Sequence, residues 1–171
     1  AMARNFFCDN EYGGFFPEKR ITGQWDFNSS NLFGTIGSQM IEIGDTSDLT
    51  QKIIIAKTSD FKIPFVNDTD ATVMYVPALN PTHALRFYSN IAPNAPVSWK
   101  YCDCNLNYTI VMDILKPATT KPYIALFQTG SANTDDAELF INAFENNGVG
   151  ILEQYFGSIK DNIWYRLAFA F

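Results

Sequence analysis

Residues 164–171 read Trp164-Tyr165-Arg166-Leu167-Ala168-Phe169-Ala170-Phe171 and alternate between two sets of side chains. One set is heavily apolar and consists of Tyr165, Leu167, Phe169 and Phe171. The other set consists of Trp164, Arg166, Ala168 and Ala170. A period of two residues is that of a β-strand. The stretch therefore predicts a strand with one face packed on a core, as in a β-sandwich.

The same alternation occurs in residues 108–115, where one face carries Tyr108, Ile110, Met112 and Ile114. Further β-rich runs lie at 22–27, 40–43, 52–56, 72–76, 85–88, 123–128, 138–142 and 148–152. Eight prolines leave little room for a long helix, so we expect only a helical turn or two, near 45–51 or 81–85. The spacing predicts an all-β fold, an antiparallel β-sandwich, with residues 1–171 as a single domain.

Turn residues separate these runs, and Asn147-Gly148 is the strongest hairpin signal among them. The segment from Asn28 to Asn31 is a second predicted turn. Trp25 and Trp164 lie within predicted strands, and we expect both to be core residues.

Composition argues against two classes of partner. The 171 residues carry a net charge of −6 without a basic cluster, whereas nucleic-acid binding requires clustered Lys and Arg. No apolar run approaches the roughly 20 residues of a membrane-spanning helix. We therefore expect neither a nucleic-acid partner nor membrane insertion.

The three cysteines are Cys8, Cys102 and Cys104. A disulfide from Cys8 to Cys102 or Cys104 is the favoured pairing, since a bridge between Cys102 and Cys104 would be strained. A zinc site is disfavoured because it requires about four N or S ligands and the only histidine, His83, has no partner motif.

Several motifs in the second half of the chain point to a family. They are Tyr108-Thr109-Ile110-Val111-Met112-Asp113, Leu126-Phe127-Gln128-Thr129, Asn133-Thr134-Asp135-Asp136-Ala137-Glu138-Leu139-Phe140-Ile141-Asn142, Gly148-Val149-Gly150-Ile151 and Trp164-Tyr165-Arg166-Leu167-Ala168. These motifs resemble consecutive strands of the laminin-G-like, concanavalin A-like lectin and glucanase superfamily, particularly its bacterial jelly-roll branch. The segment from Gly23 to Phe27 is similar to the family's opening strand.

The resemblance implies a concanavalin-like jelly roll in a secreted or cell-surface protein. It also implies a non-catalytic recognition module that binds carbohydrate. A module for adhesion or assembly with a cell-surface protein is the alternative, and it would display an exposed apolar patch or an open sheet edge. A glycoside hydrolase is the third and least favoured interpretation.

Family members continue past the Trp-Tyr-Arg strand into further strands, whereas this sequence stops at Phe171. An apolar strand at the end of a chain leaves a bare sheet edge. The favoured interpretation is a piece of a longer protein that lacks its last strands. The alternative is that another chain or segment completes the sheet.

The residues do not favour an enzyme. A retaining glycosidase requires two carboxylates about 5 to 5.5 Å apart, and the family's glucanase pattern of alternating acids is absent. Asp136 and Glu138 occupy alternate positions, but beside a turn, where solvent-exposed acids are the simpler interpretation. His83 lies in neither a Gly-x-Ser-x-Gly elbow nor a cysteine signature.

Calcium is the cofactor to expect, because sandwiches of this family often bind it. Asn133, Asp135 and Asp136, with Thr134 between them, gather in one loop the oxygen ligands that a hard cation requires. Asp68 and Asp70 form a second such cluster. In both places the alternative is that the side chains cap their own turns.

Aromatic side chains near turns are the candidates for contact with a sugar. They are Tyr88, Trp99, Tyr101 and Tyr155. The alternative is that these rings are buried, as large aromatics are on average.

Overall fold

The computed structural model describes residues 2–4, 21, 23–37, 39–80, 83–87, 109–119, 121–127, 139–151 and 153–170. Within these ranges the protein is all-β, with antiparallel sheets and two one-turn 3-10 helices, at Leu49–Gln51 and Ala143–Glu145. The turn at Leu49–Gln51 confirms one of the two short helical segments expected from the sequence. Among these residues no helix has the length and apolar character needed to cross a membrane.

Twelve strands are described. They are β1 (Met2–Arg4), β2 (Gln24–Trp25), β3 (Ile41–Ile43), β4 (Ile54–Lys57), β5 (Thr72–Tyr75), β6 (Ala84–Arg86), β7 (Thr109–Leu115), β8 (Tyr123–Phe127), β9 (Leu139–Asn142), β10 (Gly148–Ile151), β11 (Gln154–Phe156) and β12 (Trp164–Ala170). Every strand predicted from the sequence overlaps one of these. The sequence analysis predicted neither β1 nor β11.

The strands form two four-stranded sheets, ordered β12-β7-β1-β2 and β11-β10-β9-β8, and two pairs, β3-β6 and β4-β5. The two longest strands pair over seven residues, from Trp164 opposite Leu115 to Ala170 opposite Thr109. The predicted alternation of β7 is confirmed, because Ile110, Met112 and Ile114 are buried. The apolar face of β12 packs against the same core through Tyr165, Leu167 and Phe169.

One hydrophobic core receives side chains from both four-stranded sheets. Trp25 and Ile110, from one sheet, are 0% and 2% exposed, and Ile141, from the other, is 1% exposed. Trp25 is therefore a core residue, as predicted. Trp164 is not in the core cluster: it is only partly buried, and its indole N–H donates to the Pro64 carbonyl at 2.7 Å. An indole has a polar end, and here a backbone acceptor holds it at the surface.

The Asn147-Gly148 hairpin is confirmed between β9 and β10. Asn146 and Asn147 both have left-handed backbones, with φ of 55° and 54°, and asparagine tolerates this conformation well. The Asn142 side chain caps the intervening 3-10 turn by accepting a hydrogen bond from the Phe144 N–H. Cys8, Cys102, Cys104 and Phe171 lie outside the described residues, so the proposed disulfide stays a prediction.

Candidate functional site

Most of the residues predicted to bind ligand fall outside the described part of the chain. These are the aromatic residues Tyr88, Trp99 and Tyr101 and the calcium candidates Asn133, Thr134, Asp135 and Asp136. Tyr155 is described: it is half-buried on β11, opposite Gly150. A Cβ added to Gly148 would lie 3.0 Å from the Cβ of Tyr155, so the Tyr155 side chain begins close to β10.

A loop after β2 forms a polar concave surface. Its two ends are joined by an antiparallel bridge in which Gln24 N–H donates to the Ile36 carbonyl at 2.9 Å and Ile36 N–H donates to the Gln24 carbonyl at 3.2 Å. The loop ends are therefore held together, and residues 26–35 between them have a defined shape.

Two apolar side chains anchor this loop to the core. Phe27 is 2% exposed, and Leu32 packs against the core cluster. The Leu32 carbonyl also accepts a hydrogen bond from the Met40 N–H at 2.8 Å. Phe27 has a φ of 59°, an uncommon value for a bulky residue, so burial of its ring holds a strained backbone.

Phe33 points the other way and is 63% exposed. Its N–H donates to Oδ1 of Asn31 at 2.9 Å, an Asx-type contact that fixes the turn before the ring. At the start of the loop the Asn28 N–H donates to Oδ1 of Asp26 at 3.3 Å. The predicted turn at 28–31 is thus confirmed, and it presents an aromatic ring beside polar side chains.

The cavity in this loop, which we name the loop cavity, has a volume of about 260 Å³. It is lined by Asp26, Phe27, Asn28, Ser29, Asn31, Phe33, Gly34 and Thr35. The lining combines hydrogen-bonding carboxylate, amide and hydroxyl groups with one exposed aromatic ring. Ligand sites typically pair an apolar surface with a few polar groups that fix orientation.

A second cavity, of about 310 Å³, contains the histidine. The His83 side chain is 2% exposed, and its Nε2 lies 3.3 Å from Oε2 of Glu42 on the neighbouring strand β3. Nδ1 has no hydrogen-bond partner among the described residues. The partner that the sequence did not reveal is therefore Glu42, 41 residues earlier in the chain. Thr46 and Lys52 also line this cavity.

The walls of this second cavity are held by internal hydrogen bonds. The buried Gln51 side chain donates from Nε2 to Oδ2 of Asp48 at 2.7 Å and accepts from the Asn80 N–H at 2.5 Å. Hydrogen bonds from the Thr50 side chain, followed by those from Gln51, lower the pKa of Asp48. These contacts join the Leu49–Gln51 turn to the segment before β6, which is a structural role.

An aromatic cluster lies at the β8 edge of the β8–β11 sheet. Tyr123 contacts Phe140 and Phe144 in edge-to-face geometry, with ring centroids 6.0 and 5.9 Å apart. Tyr123 is 49% exposed and Phe144 is 76% exposed. We name these three residues the edge cluster.

Asp70, from the second acidic cluster, caps the turn after β4 and not its own turn, which was the alternative predicted from the sequence. Asp70 accepts hydrogen bonds from Thr58 Oγ1, Ser59 N–H and Ser59 Oγ, each at 2.9 Å. The hydrogen bond from the Ser59 backbone is the largest cause of its lowered pKa. Among the described residues no group of three or more His, Cys, Asp or Glu side chains is placed to hold a metal ion.

The loop cavity was not predicted from the sequence, because Phe33 belongs to no recognisable motif. The signal available was local: Asn31-Leu32-Phe33-Gly34 places two apolar residues inside a polar turn. Since only one of them can face the core, the other becomes exposed.

Comparison with known proteins gives no match to this chain, whether with family models, with curated protein sequences or with solved structures.

Proposed function

We propose that the protein is a non-catalytic carbohydrate-recognition module of a secreted or cell-surface protein, built as a concanavalin-like jelly-roll sandwich. The observation that carries the proposal is the exposed Phe33 ring beside the polar loop cavity. The sandwich is supported by a core that takes side chains from both four-stranded sheets.

The chemistry of the loop cavity suits a sugar. One face of a sugar ring is made of C–H groups and packs on an aromatic ring, while the hydroxyls require both donors and acceptors. Phe33 supplies the apolar surface, Asp26 supplies an acceptor, and Asn28 supplies an amide with both donors and an acceptor.

Glycan-array binding of the purified chain tests this proposal. The Phe33→Ala variant should lose at least about tenfold in affinity, equivalent to 1.4 kcal/mol. The Phe144→Ala variant is the matched control, since it removes another exposed phenylalanine, from the turn between β9 and β10. Both rings are exposed, so the free energy of unfolding of both variants should stay within about 0.5 kcal/mol of the parent's.

Loss of glycan binding in Phe33→Ala alone supports the loop cavity as the site. Full binding by Phe33→Ala overturns that assignment. A blank array with folded protein overturns the carbohydrate proposal.

Calcium is proposed as a cofactor of the loop containing Asn133, Asp135 and Asp136. Its test is the same array in calcium and in chelator, because oxygen-ligand sites of this type empty on chelation. Binding that falls in chelator and returns with calcium supports the site, and replacing Asp135 with Asn should then abolish the calcium response. Equal binding in both conditions contradicts a calcium requirement.

Protein recognition is the second candidate, and the edge cluster is the observation that favours it. Exposed aromatic residues in mutual contact are typical of the anchors in protein interfaces. This candidate predicts that Phe144→Ala, and not Phe33→Ala, weakens adhesion of the protein to cells. The opposite result favours glycan recognition.

A further inference from the structure

We infer that the loop cavity selects neutral sugars over acidic ones, taking one sugar ring at a time. This inference rests on the proposed carbohydrate function and names the class of sugar. It follows from the charge and the size of the cavity.

Asp26 is the one charged side chain among the described residues that line the cavity; no lysine, arginine or histidine lines it there. Oδ1 of Asp26 accepts the Asn28 N–H, and Oδ2 accepts no hydrogen bond from the described residues. Oδ2 is thus an available acceptor for a ligand hydroxyl. A carboxylate on the ligand finds a like charge there, and no described cation in the lining offsets the repulsion.

The cavity has room for about one sugar ring. Its volume of about 260 Å³ lies just below the roughly 300–1,000 Å³ of sites that enclose drug-sized molecules. A single exposed ring, Phe33, borders it, so it offers stacking for one sugar unit. The remaining polar groups are uncharged amides and hydroxyls, which can both donate hydrogen bonds to sugar hydroxyls and accept them.

The test compares sugars that differ only at C6, where a neutral hydroxymethyl group is replaced by a carboxylate. The probes are glucose against glucuronic acid and galactose against galacturonic acid, with binding to the full chain measured by saturation-transfer NMR at pH 7 and low salt. At least one neutral sugar should bind at least about tenfold more tightly than its acidic partner. Raising the salt concentration to about 0.3 M should reduce the affinity ratio between the neutral and the acidic sugar, because mobile ions screen exposed charges.

The Asp26→Asn variant should raise the relative binding of the acidic sugar by at least about threefold. The amide keeps the Oδ1 acceptor and removes the charge. Asp45→Asn is the matched control: Asp45 accepts from the Ser47 N–H in the same Asx geometry but lies outside the loop cavity, so the ratio should stay unchanged.

The outcomes separate this inference from the proposed function. Acidic sugars that bind as tightly as neutral ones, or a ratio that Asp26→Asn does not change, overturn the inference alone. Failure of all four sugars to bind while the glycan array is positive overturns the inference alone, and a blank array overturns the proposed function as well.

Discussion

The ion pair between Asp113 and Arg166 joins the two longest strands, β7 and β12, on the face opposite the core. Arg166 donates from Nε to Oδ1 at 2.6 Å and from Nη2 to Oδ2 at 2.7 Å. These hydrogen bonds raise the pKa of Arg166. The Asp113 side chain is 12% exposed and that of Arg166 is 57% exposed, so the carboxylate depends on its partner more than the guanidinium does.

Removing Arg166 should therefore cost more stability than an ordinary surface substitution. Arg166→Ala leaves a nearly buried carboxylate without its donors and should lower the free energy of unfolding by about 1–3 kcal/mol. Arg166→Lys should recover only part of this, because an ammonium cannot bind both oxygens in a planar fork. Urea unfolding measures both variants, and equal stability of Arg166→Lys and the parent would contradict the importance of the two-point contact.

The capping carboxylate of Asp70 should make the β4-β5 pair sensitive to acid. Its pKa is lowered from the ordinary 3.8, mainly by the Ser59 backbone hydrogen bond. The unfolded chain therefore takes up the proton first as the pH falls below 3.8. The stabilisation is complete above that pH and is lost as the pH falls through the folded-state pKa.

Asp70→Ala should thus destabilise the protein at pH 7, and the difference from the parent should shrink below about pH 3.8. Thermal unfolding across pH 2.5–7 measures this. Glu153→Ala, at an exposed position, is the control and should show no such trend. A difference that is constant with pH would refute the capping role.

For single residues, the sequence predicted which strand side chains face the core better than it predicted the residues of the loop cavity. The burial of Ile110 and Trp25 followed from strand periodicity. The exposure of Phe33 did not, because it depends on Phe27 and Leu32 occupying the core. Which of several apolar residues in a turn faces inward is decided by packing.

Among the elements, the β10–β11 hairpin depends on a glycine. A Cβ at Gly150 would clash with the carbonyl oxygen of Gln154, a backbone atom that cannot move without bending β11. Gly150→Ala should therefore destabilise the protein by about 3 kcal/mol, at the upper end for an overpacked site.

Gly157→Ala is the comparison for this hairpin. Its φ of 67° disfavours a side chain, but nothing lies within 4 Å of the added Cβ. It should cost only about 1–2 kcal/mol, the penalty for a left-handed residue. Chemical denaturation of both variants checks the ranking, and a smaller loss for Gly150→Ala would contradict the steric account.

Two strands, β1 and β11, could not be predicted from the sequence. β1 and β11 have three residues each, which is too short for an alternating pattern to emerge. β11 forms where the hairpin after Gly150 returns the chain to β10, and β1 pairs with both β7 and β2. Both are consequences of pairing rather than of local sequence.

The whole molecule adds what local pattern cannot supply, namely which strands pair. Alternation placed the apolar faces of β7 and β12 correctly, but their pairing joins Asp113 to Arg166 across 53 positions of the chain. Contacts of such separation depend on the complete arrangement of strands. The sequence therefore predicted the all-β class and the core-facing residues of β7 and β12, except that Trp164 was wrongly expected in the core, and the residues that the two sheets share in one core emerged only in three dimensions.

That shared core predicts a single cooperative unfolding transition. Ile141 belongs to the β8–β11 sheet, is 1% exposed and lies in the same cluster as Trp25 of the other sheet. Ile141→Ala should lower the free energy of unfolding by about 2–5 kcal/mol, as expected for a cavity in a packed core. Because both sheets depend on this core, far-ultraviolet circular dichroism and tryptophan fluorescence should shift together. Two separated transitions, or a shift seen by only one probe, would mean that the sheets are stabilised independently.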